Sequence, residues 1–158
     1  MMQTNGFNFI TLTLAIILMT GCATPSTPSL EKQSTEKPTC TGTQISEGKA
    51  WIAGQLNAFK NSNLEAAYAF ASQSFKAANS LQQFASIINF NYFFLLNIDS
   101  FTVGECAKQG DSFLFEVRLS NTQRQDFIMQ YLLSLQGTTW GVDAATANLA
   151  EVNSDLST

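Results

Sequence analysis

The sequence predicts an α+β domain: three N-terminal helices packed on a curved four-stranded antiparallel sheet. Two observations carry this. Apolar residues recur at helical spacing from Ile45 to Ile88, then at a period of two from about Ser100 onward. The period-two runs are joined by short links, Lys108 to Asp111, Asn121 to Gln125 and Gly137-Thr138, which suit hairpins. Helices followed by a meander must bury one face of each layer against the other.

The first helix rests on Ile45, Ile52, Leu56 and Phe59, which share one face, with Ser46 as its candidate N-cap. Asn61-Ser62-Asn63 breaks it. Ser62 and Glu65 have capping-box spacing and open a second, alanine-rich helix through LEAAYAFAS, Leu64 to Ser72. Ser80 and Gln83 repeat the device, and Leu81, Phe84, Ile87 and Ile88 form the apolar face of a third helix.

NFNYFFLLNI, Asn89 to Ile98, is the most apolar stretch of the domain. It is expected to enter the core where helices give way to sheet; left exposed, it would be a pocket rim or a partner surface. The strands follow: SFTVGECA from Ser100, SFLFEVRLS from Ser112, DFIMQYLLSLQ from Asp126 and TWGVDAATA from Thr139. Phe113, Phe115, Val117 and Leu119 point one way, as do Phe127, Met129, Tyr131, Leu133 and Leu135 on the next strand. In the last strand, alternation sets Asp143 opposite Trp140 and Val142.

The N-terminus reads as an address. FITLTLAIILM, Phe9 to Met19, is too short to span a bilayer and matches a signal-peptide core. LMTGC, Leu18 to Cys22, resembles a bacterial lipobox, which implies cleavage before Cys22 and a lipid on its thiol. The expected organisation is a lipoprotein signal peptide over 1–21, a lipidated Cys22 with a flexible Pro/Ser/Thr tether over 22–44, the α+β domain over 45–147, and a disordered tail over 148–158. The segment 23–44 holds all three prolines and is rich in Ser, Thr, Lys and Glu, a composition unable to bury its own backbone. By resemblance to Gram-negative lipoproteins, Ala23 implies sorting to the outer membrane, facing the periplasm.

Composition excludes several chemistries. The chain has no histidine, which rules out Ser-His and Cys-His nucleophile pairs and histidine-containing zinc sites. A net charge of -4 without a basic stripe argues against nucleic acid as a partner. No Gly-rich phosphate loop, acidic calcium loop or paired CxxC occurs, so no cofactor or metal is called for. With Cys22 lipidated, Cys40 and Cys106 remain, able to form a disulfide in an oxidising compartment or to stay as two thiols.

The order of elements resembles the nuclear transport factor 2-like, or cystatin-like, fold. More closely, QLNAF at Gln55 to Phe59, Ala66, and FAS at Phe70 to Ser72 look like the opening motif of the bacterial family named domain of unknown function 4864. Tyr92 before Leu95 and Leu96, EVRL at Glu116 to Leu119, Tyr131 before Leu133, and Gly137 before Trp140 extend that resemblance over roughly Gly48 to Ala145. It implies a shape without an activity.

In such a fold the sheet and helices can enclose an apolar pocket. Tyr92, Phe94, Phe115, Met129, Tyr131 and Trp140 are the candidate lining. The expected function is a membrane-anchored, non-catalytic module for a small apolar ligand or an envelope protein, or a homodimer formed through the sheet. The alternative is a small-molecule isomerase or hydrolase with Asp143 as general base and Tyr92 or Tyr131 as donor to a developing oxyanion.

Overall fold

The computed structural model describes residues 39–150. The expected signal peptide, Cys22, the expected tether as far as residue 38, and residues 151–158 lie outside them. Among the described residues no helix is long and apolar enough to cross a membrane.

Among the described residues four helices precede the sheet, where the sequence pattern suggests three: α1 (Gly42–Lys60), α2 (Leu64–Ala69), α3 (Gln73–Ala78) and α4 (Leu81–Asn91). Thr41, rather than Ser46, caps α1, because Thr41 and Gln44 form a reciprocal capping box that satisfies two amides at once. Ser46 instead donates back to the Thr43 carbonyl. Ser62 does not cap α2 either. It takes a left-handed conformation (φ 54°) in the turn that ends α1, and Asn63 accepts from the Ala66 amide. The box expected at Ser80 and Gln83 forms at the start of α4.

The expected second helix is interrupted. α2 stops at Ala69, and the chain crosses to the last strand, where the Ser72 amide donates to the Val142 carbonyl and the Val142 amide to the Phe70 carbonyl, both at 2.9 Å. Ser72 then caps α3 by accepting from the Phe75 amide. Gly141 permits this crossing, since a Cβ there would stand 2.5 Å from the Ser72 Cα.

After α4, a short 3-10 turn (Phe93–Asn97) leads into the meander β1 (Ile98–Gln109), β2 (Ser112–Asn121), β3 (Asp126–Gln136) and β4 (Thr139–Leu149), hydrogen-bonded in that order and antiparallel throughout. The apolar stretch divides at this passage. Phe94, Leu95 and Ile98 are buried, whereas Phe90 and Phe93 are 82% and 54% exposed.

The inward faces of β2 and β3 meet the apolar stripe of α1, placing Ile52, Leu56, Phe59, Phe115, Val117, Met129 and Leu133 at the centre of the core. Gly48 of α1 lies against the Phe115 ring, which occupies the space a Cβ would need. Cys40 and Cys106 are joined as a disulfide, and Thr39 pairs with Ala107 beside it, so the chain entering α1 is fastened to β1.

Candidate functional site

A half-enclosed cavity of about 80 Å³ lies between the helices and the β3–β4 side of the sheet. α1 contributes Gln55 and Phe59, α3 Phe75, and α4 Phe84 and Ile88; β3 supplies Met129 and Tyr131. β4 closes it with Val142, Asp143, Ala144 and Ala145.

Asp143 reaches the cavity through a β-bulge. Leu133 pairs with Val142 and Leu132 with Ala144, so Asp143 is the extra residue and has no partner on β3. A bulge shifts the alternation by one. Before it, Trp140 and Val142 are buried; beyond it, the half-buried positions are Ala145 and Ala147, opposite Tyr131 and Met129. Simple alternation, which sets Asp143 on the face away from Val142, is therefore corrected. Asp143 is half-buried, and its Oδ1 accepts from Ser74 Oγ at 3.1 Å, which in turn shares a hydrogen bond with Ser72 Oγ at 2.9 Å.

Three polar side chains complete the wall. Gln55, 3% exposed, donates from Nε2 to the Ala67 carbonyl at 3.1 Å. A carbonyl can only accept, so this bond orients the amide and turns Oε1 away. Tyr92 donates its hydroxyl to the Ala145 carbonyl at 3.0 Å, tying the end of α4 to β4. The Tyr131 hydroxyl has no hydrogen-bond partner among the described residues. Burial first, and the nearby Tyr92 second, push its phenol above the ordinary tyrosine range, so it stays protonated at any physiological pH.

Ser134 Oγ is the side-chain polar atom that is both sealed from solvent and unpaired among the described residues. The Tyr131 hydroxyl is unpaired without being sealed. Tyr131 is 1% exposed and forms part of the cavity wall, so the cavity is where its hydroxyl meets solvent.

Of the residues expected from sequence, Tyr92, Met129, Tyr131 and Asp143 come together here. Phe94, Phe115 and Trp140 do not, because each is held by core neighbours. Phe94 stacks on Phe127 with ring centres 4.0 Å apart, and Phe115 fills the gap over Gly48. Trp140 packs edge-on against Phe113 and donates Nε1 to Glu47 at 3.1 Å. Gln55, Phe59, Phe75, Phe84 and Ile88 escape sequence reading as a site because on a helix they read as core. Glu116 and Arg118 pair with each other at 2.9 Å in solvent, where such a pair stabilises little. No group of three or more potential metal ligands occurs among the described residues.

No curated protein matches the chain. Among solved structures, it is similar to a DUF4783 family protein from Bacteroides fragilis YCH46, at 15% identity and TM-score 0.42, covering 61% of this chain and 96% of that one. A DUF4783 family protein from Bacteroides ovatus ATCC 8483 is similar at 17% identity and TM-score 0.42, with 62% and 94% covered. Residues 43–154 match the family described as Domain of unknown function (DUF4864), to which the chain belongs.

Proposed function

We propose that this protein is an envelope lipoprotein, anchored through Cys22, whose domain binds a small, largely apolar ligand without transforming it. The observation that carries the reading is the cavity itself. Its wall is mostly apolar, it opens to solvent, and it is where the Tyr131 hydroxyl, without a protein partner among the described residues, meets solvent. Ligand pockets are apolar recesses with a few polar groups turned inward. Helices leading into a four-stranded antiparallel meander support a nuclear transport factor 2-like, or cystatin-like, assignment, and the lipobox-like LMTGC supports the anchor. By the same reading the protein sits in the outer membrane of a Gram-negative host, facing the periplasm.

The test uses the full chain extracted from its own membrane in mild detergent. Its mass is expected to correspond to a chain beginning at Cys22 with acyl groups attached; an uncleaved or unacylated mass refutes the anchor. Titration with toluene is expected to shift the Met129 methyl resonance, and an unmoved resonance refutes the pocket.

A second reading, the isomerase or hydrolase, is favoured by one observation: Asp143 and Tyr131 share this cavity. Conversion of a bound compound by the native chain and not by Asp143→Asn would select it, whereas recovery of the compound unchanged selects binding.

A further inference from the structure

The polar groups of the cavity are unbalanced in a way that specifies the ligand. The Asp143 carboxylate can only accept hydrogen bonds, the Tyr131 hydroxyl can accept as well as donate, and Gln55 has Oε1 as an acceptor and the second N–H of Nε2 as a donor. No lysine or arginine lines the cavity. Among the described residues the ion pair present is Glu116 with Arg118, so Asp143 has no cation beside it. Lys76, on the same short helix as Ser74, is engaged elsewhere, donating to the Ala69 carbonyl at 2.7 Å and lying over the Tyr68 ring. At the edge of the cavity the half-buried Asp143 carboxylate thus has one serine hydroxyl, from the exposed Ser74, and no cation beside it among the described residues.

The rest of the wall suits an apolar body. Phe59, Phe75, Phe84, Tyr92 and Tyr131 surround the space. Aromatic rings offer large apolar area to the body of such a ligand. An anionic ligand would set a second negative charge beside Asp143, with Tyr131 as the cavity's unengaged hydroxyl donor; like charges so placed disfavour each other.

We propose that the cavity takes a small organic amine, its apolar body against the aromatic wall and its ammonium at the Asp143 carboxylate. This rests on reading the cavity as a ligand site and adds the charge of the ligand.

Benzylamine, benzyl alcohol and sodium benzoate are close in shape and differ in charge, so they test it. Each is titrated, beside toluene, into the full chain in mild detergent, with affinity read from the Met129 methyl resonance. Benzylamine is expected to bind on the order of tenfold more tightly than benzyl alcohol, as one charge-assisted hydrogen bond would give, with benzoate weakest. Asp143→Asn is expected to abolish the advantage of benzylamine, with the circular dichroism spectrum and thermal unfolding of the variant as the control that it is folded. Toluene or benzyl alcohol binding at least as tightly as benzylamine overturns the amine proposal and leaves the pocket standing. So does an amine preference that survives Asp143→Asn. If no probe, toluene included, moves Met129, the pocket reading falls as well.

Discussion

Tyr131 and Met129 of β3 have different neighbours on their two sides. β2 sets Phe115 and Val117 opposite them, and β4 sets Ala145 and Ala147. The row is one continuous inner face of one sheet, filled on the β2 side and hollow on the β4 side. Side-chain volume decides between core and cavity here, because the backbone spacing between paired strands is the same on both sides. The bulge at Asp143 completes the contrast: β2 pairs with β3 in unbroken register, whereas β4 spends one residue on a carboxylate at the rim.

The largest expected effect breaks the filled side. Phe115 is fully buried, and Phe115→Ala should cost about 3–5 kcal/mol, a large share of the roughly 5–15 kcal/mol that stabilises a typical domain. Chemical denaturation measures it, and a loss below about 1 kcal/mol would mean that the β2 side is not the packed half. The next largest removes the brace on that side, since Cys106 pairs with Phe115 across β1 and β2. Replacing Cys40 and Cys106 together by serine should cost about 2–4 kcal/mol, with the same loss on reduction of the native chain.

The hollow side responds in the opposite sense. Ala145→Val adds two methyl groups facing the cavity and raises β-propensity. It should stabilise the domain by about 0.5–2 kcal/mol while abolishing the toluene-induced shift at Met129. Destabilisation would show that Ala145 already touches its neighbours and that the space lies elsewhere.

This asymmetry also explains what sequence could show. The filled side was legible: Phe113, Phe115, Val117 and Leu119 alternate without interruption, and every one is buried. The hollow side was hidden by composition. A bulge reveals itself when apolar residues change parity, as from Trp140 and Val142 to Ala145 and Ala147, but Ala144 beside Ala145 makes either parity plausible. α3 was hidden for a related reason. It buries no residue completely, so it carries no amphipathic stripe, and its evidence is the Ser72 cap alone. Aromatic content marked Phe94, Phe115 and Trp140 as pocket residues as readily as Tyr92 and Tyr131, because composition reports apolar area and says nothing of which ring has a neighbour. The cavity's helical wall depends on how α1 and α4 lie on the sheet, a tertiary fact that local periodicity does not contain.

The smallest expected effect at neutral pH sharpens the comparison most. Tyr131→Phe leaves the ring between Phe115 and Ala145 and removes a hydroxyl that has no partner among the described residues. Deleting an unpartnered polar group from a buried position removes no internal hydrogen bond and relieves its desolvation, so the variant should be no less stable than the native chain and more stable by up to about 1 kcal/mol. Alkaline pH separates the two proteins. The phenol is raised in the folded state, so the folded chain holds this proton more tightly than the unfolded chain does. The stability linked to it is therefore fully present below the unfolded pKa of about 10 and is lost as pH rises beyond it. The native protein should lose up to about 1.4 kcal/mol more per pH unit than Tyr131→Phe in that range, measured by denaturation at successive pH values. Parallel curves would mean that water already reaches the hydroxyl freely, making the hollow side a wet cleft whose tyrosine ionises as it does in solution.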